Sequence, residues 1–248
     1  MRTAGFLLLA FWGLHWSAHA AEVTVAVASN FSAPMQKIAQ AFEQETGHKA
    51  LLAFGSTGNL YAQIRNGAPH QVLLAADDAT PRKLEAEGLG VAGSRFTYAT
   101  GTLVLWSKQP GLVDEKGDVL RSGKFERIAM ANPKLAPYGA AALETLTQMG
   151  VLQALQPKVV QGENISQTYQ FVATENAQLG FVALSQVMSD GRVAQGSSWV
   201  VPAHLHSPIR QDAILLTKGR DAPAAVALLR FLRSERARVL IRSFGYAL

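Results

Sequence analysis

Short apolar runs alternate with amphipathic stretches along most of this chain. Residues 23–28 (VTVAVA) form an apolar run rich in β-branched side chains, which reads as a buried strand. It breaks at Ser29-Asn30. Beyond it Met35, Ile38 and Phe42 recur at helical spacing, Pro34 suits a first turn, and Gly47 sits where a helix stops. Residues 50–54 (ALLAF) give a second short strand, Gly55-Ser56-Thr57-Gly58-Asn59 a small polar turn, and 60–66 a helix. A third strand, 71–76 (QVLLAA), ends at Asp77-Asp78, where Asp78-Ala79-Thr80-Pro81 reads as a helix cap.

After a strong strand at 102–107 the pattern starts afresh. Residues 127–131 (RIAMA) lead through a Pro- and Asn-bearing loop containing Tyr138 into a helix at 140–149, stopped by Gly150. Residues 159–161 lead through Gly162-Glu163-Asn164-Ile165-Ser166 into a helix ending near 176, with Glu163 in its first turn and Glu175 on its exposed face. Residues 180–184 form another buried strand, and this unit ends near 199–202. A last strand at 209–217 and one terminal helix at 223–244 close the chain. No fixed-period repeat or low-complexity linker is present. Two α/β units with short connections predict two lobes, each a mostly parallel sheet flanked by helices, joined by strands crossing near 102–107 and 209–217.

In such sheets ligands lie beyond the carboxyl ends of the strands, where Ser29, Asn30, Ser56 and Thr57 gather. Each of these turns opens a helix, so free backbone N–H groups and the positive pole of a helix dipole face the same place. The GSTG turn lacks the lysine and spacing of a Walker loop. None of the SN, GSTG and NIS turns carries a lysine or arginine. The chemistry on offer is therefore a cleft of neutral donors for a fully ionised anion.

Composition narrows the class. With 48% hydrophobic and 17% charged residues the chain is globular. Residues 1–20 read as a signal peptide: Arg2, an apolar core at 4–16, and Ala18-His19-Ala20 as a small-x-small cleavage site, with the mature chain starting at Ala21. The core is too short to span a bilayer. Without Arg2 the net charge is +4, from 22 basic and 18 acidic residues. The Arg-rich stretch from Arg230 to Arg242 alternates with leucines and reads as the solvated side of an amphipathic helix, so nucleic-acid binding is not expected. No cysteine is present, which excludes disulfides, a thiol nucleophile, cysteine-held metal and a lipid-modified N-terminal cysteine.

Five stretches in order resemble the periplasmic molybdate-binding proteins, the solute receptors of ABC importers. They are VAVASNFSAPMQKIAQAFEQETG, FGSTGNLYAQIRNGAP with LLAADD, ANPKLAPYGAAALETL, GENISQTYQFVATENAQLGFVALSQV and FLRSERARVLIRSFGYAL. The resemblance spans essentially the whole mature chain. It implies a type II periplasmic-binding-protein fold, with residues 21–102 and 206–248 in lobe 1 and 103–205 in lobe 2. It implies molybdate, and tungstate with it, as the ligand, with no cofactor and no catalytic residue. It also implies a monomer in the periplasm and an inner-membrane ABC permease as partner. Ligand-binding positions carry over to Ser29, Asn30, Ser56, Thr57, Tyr138 and Ile165. One hydroxyl of Ser56-Thr57 is the donor, with Thr57 aligning best, Tyr138 donates through its side chain or backbone N–H, and Ile165 through its backbone. The metal atom is held only through its oxygens. Many family members carry a tyrosine after the Gly-Ile/Phe-Val strand where this chain has Ala183, and Tyr138 stands as the candidate replacement.

The alternatives are a receptor for sulfate or another oxyanion, or for ferric iron through Tyr138 and Tyr169, and, from another class, an exported enzyme. His204-x-His206 offers two metal ligands with no third, and no nucleophile elbow or HExxH helix is present.

Overall fold

The computed structural model describes residues 20–189 and 191–248. The signal peptide read at 1–20 lies outside them apart from Ala20. In chain order the first half supplies β1 (Glu22–Ala28), α1 (Ser32–Thr46), β2 (Lys49–Gly55), α2 (Thr57–Arg65), β3 (Val72–Leu74), α3 (Ala79–Ala86) and β4 (Phe96–Gly101). Then follow β5 (Leu103–Ser107), α4 (Val119–Ser122), β6 (Ile128–Ala131), α5 (Pro137–Gln148), α6 (Leu152–Leu155), β7 (Val159–Gly162), α7 (Ile165–Ala173) and β8 (Leu179–Ala183). The chain ends with α8 (Leu184–Val187), β9 (Met188–Ser189), β10 (Arg192–Val193), β11 (Ser197–Val200), β12 (Ile209–Leu215), α9 (Pro223–Leu232) and α10 (Glu235–Ser243).

Two five-stranded sheets result, ordered β2-β1-β3-β12-β4 and β11-β5-β8-β6-β7. In the first, β1 pairs parallel with β2 and β3, and β12 runs antiparallel between β3 and β4. In the second, β6 pairs parallel with β7 and β8, and β5 runs antiparallel between β8 and β11. Each sheet thus has a single reversed strand, and that strand has just crossed from the other lobe. β5 follows β4 through Thr102 alone, and β12 follows β11 after the segment 201–208. A strand arriving from outside enters from the opposite end, which is why it runs against its neighbours.

Both faces of the sheets are covered. Val23, Val25 and Val27 point toward Met35, Ile38 and Phe42 of α1 and the apolar side of α9, whereas Ala26 points the other way toward Leu60, Ile64 and Leu84. Lobe 2 repeats the arrangement, with Ile128 and Met130 against Leu146 of α5 and Ala129 against Val172 of α7. Gly47 closes α1 in the left-handed region at φ +73°, its N–H bonding the Glu43 carbonyl. No helix among the described residues is long and apolar enough to cross a membrane.

Several boundaries differ from the expectations, for physical reasons. Helix α2 begins at Thr57 rather than residue 60, and α5 at Pro137 rather than 140, which puts Tyr138 in the first helical turn instead of a loop. Gly58 and Gly139 are poor helix formers, but both helix starts press against backbone. A Cβ on Gly139 would lie 2.2 Å from the Ala131 carbonyl oxygen. α7 stops at Ala173, with Glu175 beyond it at φ +62°, and Glu163 precedes the helix instead of sitting in its first turn. The single terminal helix is two, because Ser234 caps a new helix by accepting from the Ala237 N–H. At α3 the capping carboxylate is Asp77, which accepts from the Thr80 N–H at 2.7 Å. Asp78 instead pairs with Arg82 at 2.8 Å. β4, β9, β10 and β11 are strands beyond those expected, β4 because its FTYATG stretch lacks a clean apolar alternation.

Candidate functional site

The carboxyl ends of β1, β2, β6 and β7 point into the cleft between the lobes, where β1 runs into a 3-10 turn, Ser29–Phe31, ahead of α1, and β2, β6 and β7 lead to the starts of α2, α5 and α7. The 3-10 turn and the N-termini of α2, α5 and α7 therefore bring orphan N–H groups and three positive helix-dipole ends together. At this point lies a small cavity lined by Ser29, Asn30, Ser56, Thr57, Tyr138 and Ile165, with Ala28, Gly55, Ala76, Ala136 and Pro137 as its walls. All six residues singled out in the sequence thus meet in one place. The space is small and enclosed by these residues from both lobes. Among the described residues no charged side chain lines it.

Each polar group has a definite state. Ser56 occupies the N-cap of α2 in extended conformation (φ −71°, ψ 149°), the usual place for a capping serine, yet its side chain caps nothing. Its Oγ is buried and has no hydrogen-bond partner among the described residues. A buried hydroxyl left so costs roughly 1–3 kcal/mol, and a bound guest would recover it. The Thr57 Oγ accepts from the Ala76 N–H at 3.0 Å, which leaves its own proton to give. The Ser29 Oγ makes one long contact, 3.4 Å, with the carboxamide oxygen of Asn164 across the cleft. That same oxygen takes the N–H groups of Ser166 and Gln167, so the α7 start retains the Ile165 N–H as its free donor.

Asn30 and Tyr138 are tied down behind the cavity. The Asn30 side-chain amide donates to the Gln211 carboxamide oxygen at 2.8 Å and to the Tyr246 hydroxyl oxygen at 3.0 Å, which uses both of its protons. The Tyr138 hydroxyl accepts from Gln211 Nε2 at 3.3 Å. It lies so close to the Gly101 backbone that a Cβ there would meet it at 2.1 Å. Tyr98 completes the group by donating to Gln211 or to the Ala75 carbonyl, 3.0 Å each. Burial, then neighbouring phenols, push Tyr138 well above the usual phenol range, and burial pushes Tyr246 up to about 12, so both stay protonated. Gln211, Tyr98 and Tyr246 escaped the sequence reading, since nothing in a strand or a tail marks a residue as the partner of a distant turn.

The remaining chemistry lies elsewhere. Tyr169 stacks on Trp106 within lobe 2 at 5.4 Å between centroids, in a cluster separate from Tyr138. Among the described residues no group of three His, Cys, Asp or Glu could hold a metal ion. Ala183 does not reach the cavity, and its N–H donates to the Gln186 side chain at 3.0 Å.

Comparison with known proteins agrees with this arrangement. Residues 23–247 match the family of bacterial extracellular solute-binding proteins. A molybdate-binding protein ModA of Azotobacter vinelandii is 58% identical over 94% of this chain and 92% of its own length. That of Rhodobacter capsulatus is 48% identical over 99% of this chain and 96% of its own. A solved periplasmic molybdate-binding protein of Azotobacter vinelandii superposes with a TM-score of 0.89 at 39% identity, covering 91% of this chain and 99% of that one. This chain belongs to the molybdate-binding family of bacterial extracellular solute-binding proteins.

Proposed function

We propose that the protein captures molybdate, and tungstate with it, and hands it to an inner-membrane ABC permease. The observation that carries the reading is the unpartnered, buried Ser56 hydroxyl in a cavity of neutral donors. Its named relatives supply the identity of the anion.

In this reading the hydroxyls of Ser29, Ser56 and Thr57 and the backbone N–H groups of Asn30, Tyr138 and Ile165 donate to the oxygens of the dianion. Tyr138 acts through its backbone because its hydroxyl is turned away from the cavity, toward Gln211 and the Gly101 backbone. Ser56 and Thr57 both donate, Thr57 while accepting from Ala76. Bonds to an anion are stronger than neutral ones, and a dry cleft raises their worth. A proton-bearing oxyanion such as phosphate needs an acceptor, and no carboxylate among the described residues lines the cavity. The protein performs no chemistry on its ligand and needs no cofactor. We assign residues 21–102 and 206–248 to lobe 1, 103–205 to lobe 2, and the mature monomer to the periplasm after cleavage behind Ala20.

Thermal unfolding with molybdate, tungstate, sulfate, phosphate or ferric citrate tests the reading. A ligand at 100 times its dissociation constant stabilises by about 2.7 kcal/mol, a shift of several degrees for a chain this size. Molybdate and tungstate are expected to give that shift and phosphate none. A shift with sulfate alone would move the function to sulfate uptake, and no shift with any anion would sink the ligand assignment.

A further inference from the structure

Behind the cavity the backbone of Asn30 is held from both lobes. Its carbonyl accepts from the Tyr246 hydroxyl at 2.8 Å and from the Ser185 hydroxyl at 3.0 Å, and these two hydroxyls stand 2.9 Å apart. Tyr246 belongs to lobe 1, because the chain end is stitched to β4 by reciprocal bonds between Thr100 and Ala247. Ser185 comes from α8 of lobe 2. Asn30, Tyr246 and Ser185 are all buried, so no solvent competes for these bonds. The Ser29-Asn30 turn therefore rests on a platform to which both lobes contribute, Tyr246 from lobe 1 and Ser185 from lobe 2.

The α8 turn makes a second attachment. The neighbouring Gln186 donates to the Ile165 carbonyl at 3.2 Å, while its oxygen takes the Ala183 N–H. One short turn thus grips a donor turn in each lobe: Asn30 through Ser185 and Ile165 through Gln186. Two further cross-cleft bonds, Ser166 Oγ to the Ser29 carbonyl at 3.1 Å and Gly58 N–H to the Leu135 carbonyl at 2.9 Å, need no guest either.

We propose that Ser185 and Tyr246 are positioning residues for anion capture: Ser185 docks on the Asn30–Tyr246 platform as the lobes close, sets the aim of the Ser29–Asn30 turn, and holds the closed form. Neither side chain lines the cavity. Their effect on affinity rests on the oxyanion reading, whereas their effect on lobe closure does not. Tyr246 is present on the platform in either state of the cleft, and the Ser185 bonds exist only in the closed one. The two residues must therefore differ in their signatures.

The test compares Ser185→Ala and Tyr246→Phe with the parent protein in molybdate affinity and off-rate, ligand-free melting temperature and ligand-free small-angle scattering. For Ser185→Ala the expected result is molybdate binding weakened roughly 5- to 20-fold, most of it in a faster off-rate, the size of one buried hydrogen bond. Its ligand-free melting temperature should fall by less than the affinity loss implies, and its ligand-free radius of gyration should be larger than the parent's. Tyr246→Phe should weaken binding at least as much and lower the melting temperature too. The double variant should lose less than the two effects combined, since both hydroxyls serve one carbonyl. Parent-like affinity and radius in Ser185→Ala would overturn the proposal, as would a melting loss equal to its affinity loss. If the parent itself binds no oxyanion, the function reading fails and the scattering comparison still decides the latch.

Discussion

Two serines in this protein occupy the same local structure and do different things. Ser56 and Ser234 both precede a helix in extended conformation, at φ −71°, ψ 149° and φ −69°, ψ 156°. Ser234 turns its oxygen onto the Ala237 N–H and caps α10. Ser56 leaves the start of α2 uncapped and keeps its hydroxyl free in the cavity. Local sequence preference is identical in the two cases, so the distinction comes from what stands opposite. Ser234 caps on the outer side of lobe 1, whereas Ser56 faces the starts of α5 and α7 across a narrow cleft. On the proposed reading a structural cap is withheld where the anion supplies the partner, at a cost in stability of the ligand-free protein.

The comparison breaks first at Ser56. Ser56→Ala should weaken molybdate by about 1.5–3 kcal/mol, the worth of a charge-assisted bond, which titration calorimetry would read as a 10- to 100-fold rise in dissociation constant. Its ligand-free melting temperature should hold or rise slightly, because a stranded hydroxyl is removed. A fall in stability without a fall in affinity would make Ser56 an ordinary cap. Thr57→Val sharpens the contrast as the intermediate case: its hydroxyl serves both the fold and the proposed ligand. Stranding the Ala76 N–H should cost about 1–3 kcal/mol in urea unfolding, and molybdate binding should weaken as well. Ser234→Ala should cost roughly 0.5–2 kcal/mol of stability and leave molybdate affinity where it was. The smallest effect is invisible at neutral pH. Burial raises the Tyr98, Tyr138 and Tyr246 phenols above their unfolded value of about 10, so the unfolded chain sheds their protons first and stability falls as pH rises past 10. Tyrosinate absorbance from these three should emerge with unfolding rather than before it.

Much of this was legible because the donor turns are local. A strand, a small polar turn and an amphipathic helix can be read within a window of twenty-odd residues, as at 23–47, and the parallel arrangement then brings the turns together. The boundaries of α2 and α5 were misjudged where Gly58 and Gly139 sit. Helix propensity argues against glycine, and only the close approach of another backbone explains it. The terminal helix was read through Ser234 since the leucine spacing carries on past it, although Ser234-Glu235 is itself a start signal. That Ser56 is unpartnered was not legible, for that depends on what faces it from the other lobe. The same holds for the platform beneath Asn30, whose members come from β4, α5, α8, β12 and the chain end.

The place of β12 bears on the order in which the molecule can be made. Lobe 2 draws β5 to β11 from one uninterrupted stretch, so it can be completed as soon as that stretch has been synthesised. Lobe 1 cannot, because β12 fills the slot between β3 and β4, and until it arrives both neighbours present a bare edge. Gln211 and Tyr246, the residues that hold Asn30, likewise come from late in the chain. The turn at Ser29 is thus among the first parts of the receptor to be translated and among the last to be fixed in place.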